Sequence, residues 1–108
     1  MKTDRELLEL AAQAAGDVSG VYMEWTEIGV SCCGITKADG SRWWNPFRDD
    51  GDALRLAVRL SLLVDVTAFS VTAMVNGVIS AKEKHDGDPY AATRRAITRA
   101  AAAIGEYI

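Results

Sequence analysis

The sequence predicts an α+β domain in which three helices sandwich a single, mostly antiparallel sheet. Three observations carry this. Three segments show one-sided helical periodicity, the segments between them alternate with the period of strands, and no long linker separates them. The expected order is α-β-β-(β)-α-β-β-α, two α-ββ units and a closing helix, with no residue-level repeat behind it. With 108 residues, the chain fits one domain, residues 1–108, around one core.

The first helix opens at Thr3-Asp4-Arg5-Glu6, which has the form of a capping box. Leu7, Leu8, Leu10, Ala11, Ala14 and Ala15 then line one side, opposite Arg5, Glu6, Glu9 and Gln13. Gly16 is its stop. Residues 20–44 read as extended chain. Val21, Met23 and Trp25 alternate with Tyr22, Glu24 and Thr26, the pattern of a half-buried strand. A second strand covers Val30 to Thr36. Ala38-Asp39-Gly40 signals a turn, and Arg42-Trp43-Trp44 would close a short third strand. Pro46 ends this region and holds Asn45 extended.

The second helix, over residues 51–62, opens on Asp49-Asp50-Gly51-Asp52, because carboxylates suit unpaired amides and the positive end of the dipole. At 100° per residue, Asp52, Arg55 and Arg59 share an arc of roughly 60°. Leu54, Leu56, Ala57, Val58, Leu60 and Leu62 fill most of the rest, which predicts a largely buried helix. Residues 64–84 are β-rich. Asn76-Gly77 suits a type I′ turn, which pairs Val75 with Val78 and Met74 with Ile79. In the last helix Asp88 caps and Pro89 takes the first helical position. Ala92, Ala96, Ile97, Ala100, Ile104 and Tyr107 are expected inward, and Arg94, Arg95, Thr98, Arg99 and Glu106 outward.

Several stretches resemble the phage ABA sandwich domain, a family of small proteins of tailed phages and prophages. They are Trp43-Trp44-Asn45-Pro46 running into Asp49-Asp50-Gly51-Asp52-Ala53-Leu54-Arg55-Leu56-Ala57-Val58, and Asp88-Pro89-Tyr90-Ala91-Ala92-Thr93-Arg94-Arg95-Ala96-Ile97 with Arg99-Ala100-Ala101. The opening run Asp4-Arg5-Glu6-Leu7-Leu8-Glu9-Leu10-Ala11-Ala12 fits as well. The resemblance implies an α/β/α sandwich and a phage or prophage source. The family carries no established activity, so no catalytic residue is transferred.

Bulk chemistry narrows the function. Twelve basic and fifteen acidic side chains give a net charge of -3, unlike a mainly electrostatic nucleic-acid binder. Cys32 and Cys33 are adjacent, so they form neither a disulfide framework nor a CxxC clamp, and they read as reduced thiols of a cytoplasmic protein. The N-terminus reads as a helix rather than a signal peptide, and no apolar run approaches the ~20 residues that span a bilayer. His85 is the one histidine. Its neighbours Asp86 and Asp88 do not complete a zinc site, and no nucleophile motif lies beside it. Asp49, Asp50 and Asp52 lack the distant Glu of a calcium loop. No catalytic residue, metal or cofactor is therefore expected.

Two surfaces remain. Trp43, Trp44 and Phe47 are candidate protein-binding residues. In an extended segment only one of the two tryptophans faces the core, and the other would anchor an interface or cover a helix edge. Arg55, Arg59, Arg94, Arg95 and Arg99 would meet an acidic partner or nucleic acid if their helices share a face. The alternative is pairing with Asp49, Asp50, Asp52 and Glu106. The expectation is a non-enzymatic accessory factor that binds a host or anti-phage defence protein, an anti-CRISPR-like inhibitor being one member of that class. A nucleic-acid-binding module is the alternative. An uncovered strand edge or the aromatic patch would serve a homodimer.

Overall fold

The computed structural model describes residues 2–16, 18, 20–36, 43–75 and 78–107. The chain runs α1 (Asp4–Ala15), β1 (Tyr22–Glu27), β2 (Val30–Thr36), β3 (Trp43–Trp44), α2 (Asp50–Arg59), β4 (Leu63–Val66), β5 (Ser70–Val75), β6 (Val78–Lys84) and α3 (Pro89–Gly105). It is α+β with three helices, but the single sheet of the expectation is replaced by two. An N-terminal sheet has the order β1-β2-β3 and a C-terminal sheet the order β4-β5-β6, both antiparallel.

The helix ends follow from their caps. Thr3 and Glu6 form the capping box of α1, and Gly16 closes it at φ 78°. Asp49 caps α2, its carboxylate accepting from Asp52 N at 2.8 Å. Asp88 caps α3, accepting from the amides of Tyr90 and Ala91. The second helix stops before the expected Leu62. Ser61 adopts φ 55° and Leu62 N donates to Ala57 O, a Schellman-type ending without glycine.

The extra strand is β4. Its turn to β5 contains no Gly, Pro or Asn. Instead the Thr67 hydroxyl accepts from Phe69 N and Ser70 N, a side-chain turn that takes the place of those residues. The β5–β6 register pairs Val75 with Val78 and Met74 with Ile79, as expected. The Ala38-Asp39-Gly40 and Asn76-Gly77 turns, and Arg42, lie outside the described residues.

Two sheets form because α3 has more than one side to bury. Ala92, Ala96 and Ala100 pack with Val71, Ala73 and Ala81 of the C-terminal sheet. Roughly a third of a turn further round, Ile97 and Ala101 join a second core. It contains Leu8 and Ala11 of α1, Ala53 and Leu56 of α2, and Ile35 and Trp44 of the N-terminal sheet. Small side chains let the elements approach closely. A Cβ on Gly105 would fall 2.1 Å from Leu10 O, so α3 and α1 meet backbone to backbone there. The α/β/α layering implied by the resemblance does not describe this arrangement, in which α3 contributes to two cores, each including one of the sheets, and Leu62 and Val64 pack against both.

Several faces are reversed. In β1, Tyr22 turns toward Ile35 and Trp44, while Val21 and Met23 are exposed. In α2, Asp52 is buried while Leu54 and Val58 are exposed, so the helix is not buried all round. In α3, Thr98 is fully buried and donates to Arg94 O at 2.8 Å. Tyr107, expected inward, lies beyond the helix end and is exposed.

Candidate functional site

Asn45 and Asp52 form the polar hinge around which the candidate surfaces are arranged. Asn45, held by Pro46 at the end of β3, is buried. Its Nδ2 donates to Cys33 O at 2.6 Å, and its Oδ1 accepts from Phe47 N at 3.0 Å. Asp52 accepts from Asn45 N at 3.0 Å and pairs with Arg55 at 2.8 Å. These bonds tie β2, the chain after β3 and the first turn of α2 together, which a buried carboxylate and a buried amide require. The acidic run is thus cap and hinge. Among the described residues, no group of three or more His, Cys, Asp or Glu is placed to hold a metal ion.

The five arginines do not converge. Arg55 serves Asp52, and the Arg59 guanidinium donates to Ala15 O at the end of α1. Arg94 donates to Phe47 O at 2.8 Å and pairs with Asp50 at 2.7 Å, clamping α3 to the start of α2. Arg95 pairs with Asp4 and Glu83, and Arg99 with Glu83 at 2.6 Å. Asp49, at 3.8 Å from Arg55, Asp50 and Asp52 take the expected part in this pairing. Glu106 pairs with Lys2 instead.

The aromatic cluster divides. Trp44 is buried in the core beside Ile35. Phe47 is half-buried beneath the Arg95 guanidinium, 5.3 Å from its ring centroid. Trp43 points to the opposite face and stacks on Trp25, with centroids 4.0 Å apart and planes at 20°. The two indoles come from the outer strands β1 and β3. Between them, on β2, lies Gly34, where a Cβ would fall 3.0 Å from Trp44 O and 3.6 Å from the Trp25 ring. The tight approach is to the backbone of Trp44, and the Trp25 ring lies at ordinary contact distance over the glycine. Met23 extends the apolar surface, 46% exposed, and a depression of 250 Å³ beside the stack reaches Cys32, Cys33 and Arg48. Trp25 was missed from sequence because its alternation with Thr26 marks an apolar face without saying which way that face points.

On the same strand the Tyr22 hydroxyl donates to Glu24 Oε1 at 3.2 Å. Burial, the neighbouring Cys33 sulfur and the Glu24 carboxylate together raise its pKa above the usual phenol value. His85 acts through its main chain, donating to Phe69 O and accepting from Asp88 N.

A second apolar surface lies between α2, α3 and β4. This groove of 550 Å³ is lined by Ala53, Leu54, Ala57, Val64, Val66, Tyr90 and Ile97, with the Asp50–Arg94 pair beside them. Leu54, Val66 and Tyr90 on it are exposed. Among the described residues, no helix is long and apolar enough to cross a membrane.

No protein-family model, curated protein or solved structure matches the chain. The likeness to the phage ABA sandwich family rests on the motifs quoted above alone.

Proposed function

We propose that this chain is a small, non-enzymatic binding protein that engages a host or anti-phage defence protein through the outer face of its N-terminal sheet. The Trp25–Trp43 stack carries this reading. Two large rings, braced by stacking on each other, offer wide contact area at little entropic cost, the character of an interface hot spot. The phage or prophage setting is what the sequence resemblance implies, the host-cytoplasm location rests on reading Cys32 and Cys33 as reduced thiols, and an inhibitor is one member of this class of binding protein.

Affinity capture from host lysate, with wild type and with Trp25→Ser and Trp43→Ser, tests it. One specific protein should be retained by wild type and bound at least about tenfold more weakly by each variant, the effect of losing a modest hot spot. Retention of no specific protein, or equal retention by the variants, would sink the proposal.

The nucleic-acid reading is less well supported, because Arg55, Arg94, Arg95 and Arg99 already face carboxylates and Arg59 a carbonyl. Fluorescence anisotropy with single- and double-stranded nucleic acid at low salt should show no association, and a steeply salt-dependent signal would restore that reading.

A further inference from the structure

We infer that β4 is a self-association edge, at which a second copy of this chain adds its own β4 antiparallel across a two-fold axis to join two C-terminal sheets into one of six strands. This goes beyond the proposed function and uses a different surface.

The main chain supplies the first argument. β4 ends its sheet, and among the described residues its only strand partner is β5. Thr67 N donates to Ser70 O, which makes that pair a hydrogen-bonded one. Antiparallel pairs alternate, so Asp65–Thr72 and Leu63–Met74 are bonded pairs, while Val64 and Val66 turn their N–H and C=O groups outward. Those groups are an open template.

The other edges are guarded or short. β6 carries Lys82, Glu83 and Lys84, with Arg99 reaching over to Lys82 O and Glu83. β1 carries two acidic residues, Glu24 and Glu27, against the single Asp65 of β4, and β3 is two residues long. In β4 three residues of four are apolar.

Side chains and charge select the occupant. On the groove side Val66 and Leu54 are 53% and 64% exposed, and Val58, one turn on from Leu54 in α2, is 70% exposed. A guest strand must satisfy outward amides and also bring an apolar row to cover this rim. The chain's own rim offers both, so two copies complement each other about a two-fold axis. The charges nearest the groove, Asp50 and Arg94, already neutralise each other.

Centring the axis on Val64 fixes the register. Val64 then exchanges two bonds with the second copy's Val64, and each Val66 N–H meets the other copy's Leu62 carbonyl. Asp65 falls opposite Leu63. A register one step on would set Asp65 against Asp65, which like-charge repulsion opposes.

Sedimentation equilibrium over a concentration series tests this on the whole chain, with circular dichroism to confirm folding. Wild type should reach twice the mass of one chain. Val66→Pro removes an outward N–H without touching the ladder to β5, and should give a folded monomer. Val66→Lys, which keeps the backbone intact and decides the matter if the proline variant unfolds, should weaken dimerisation at least about tenfold. Trp43→Ser should leave the dimer intact. Wild type still monomeric at about 100 µM, far above a micromolar dissociation constant, overturns the proposal. So does a dimer unchanged in both Val66 variants, or one lost only with Trp43→Ser.

Discussion

A carboxylate that is only 3% exposed must have its oxygens occupied, and Asp52 meets this demand through Asn45 N and Arg55. Replacing Asp52 with Ala leaves the buried Asn45 amide without its acceptor, which should cost about 2 kcal/mol in urea denaturation. Asp50, two residues earlier, is mostly exposed, so breaking its surface pair with Arg94 by Asp50→Ala should cost about 0.5 kcal/mol. Equal losses for the two would show that Asp52 is not the hinge. This difference within one acidic run was not legible in the sequence. Helical arcs group Asp52 with Arg55 and Arg59, whereas its burial depends on a partner seven residues upstream. Tyr22 offers a second test. Its pKa lies above the ordinary 10.0 in the fold, because of burial first and then Cys33 and Glu24. As pH rises past about 10 the unfolded chain loses this proton while the folded chain keeps it, so stability falls with pH. Chemical denaturation above that pH should show a shallower decline for Tyr22→Phe. An unchanged decline would mean that Tyr22 ionises as freely as in the unfolded chain.

Helix starts were legible because caps are local: Thr3 with Glu6, Asp49, and Asp88 with Pro89 each act within three residues. Strand β2 and the β5–β6 register were equally open to reading, through alternation and turn chemistry. The facing of elements was not. Both alternating sets of β1 contain an aromatic residue, and only docking on Ile35 and Trp44 selects Tyr22 as the inward one. The Trp25–Trp43 pair needs the register of three strands to bring it together, so Trp43 could be named as a candidate while its partner could not. Element contact also sets the role of Gly105. Alanine is the better helix former by about 1 kcal/mol in mid-helix, but at this final helical position the gain is small and the new Cβ meets Leu10 O at 2.1 Å. A backbone carbonyl cannot swing aside as a flexible side chain can. Gly105→Ala should therefore lose a net ~1–2 kcal/mol, read as a lower thermal midpoint. A raised midpoint would show that α1 and α3 can part without cost.

At the scale of the molecule, α3 links the stability of two sheets that, among the described residues, share no hydrogen-bonded strand pair. An alanine-rich helix is ambiguous in sequence, since alanine marks a buried side and tolerates an exposed one. This is why one sheet with helices around it was the simpler expectation. In the structure Ala92, Ala96 and Ala100 belong to one core, and Ile97 and Ala101 to the other. Coupling through so rigid an element can be measured, because Trp25, Trp43 and Trp44 are the only tryptophans and all lie in the N-terminal sheet. Their fluorescence reports that sheet, whereas far-ultraviolet dichroism reports the whole chain. Val71, fully buried in the C-terminal sheet, packs against the alanine side of α3. Val71→Ala should cost about 2 kcal/mol through the lost methyl groups and the cavity they leave. Because α3 cannot loosen from one core and stay seated in the other, the fluorescence midpoint in urea should fall by the same amount as the dichroism midpoint. A fluorescence transition that stays in place while the dichroism shifts would mean that the N-terminal sheet keeps its core without the C-terminal one, and that α3 does not couple them.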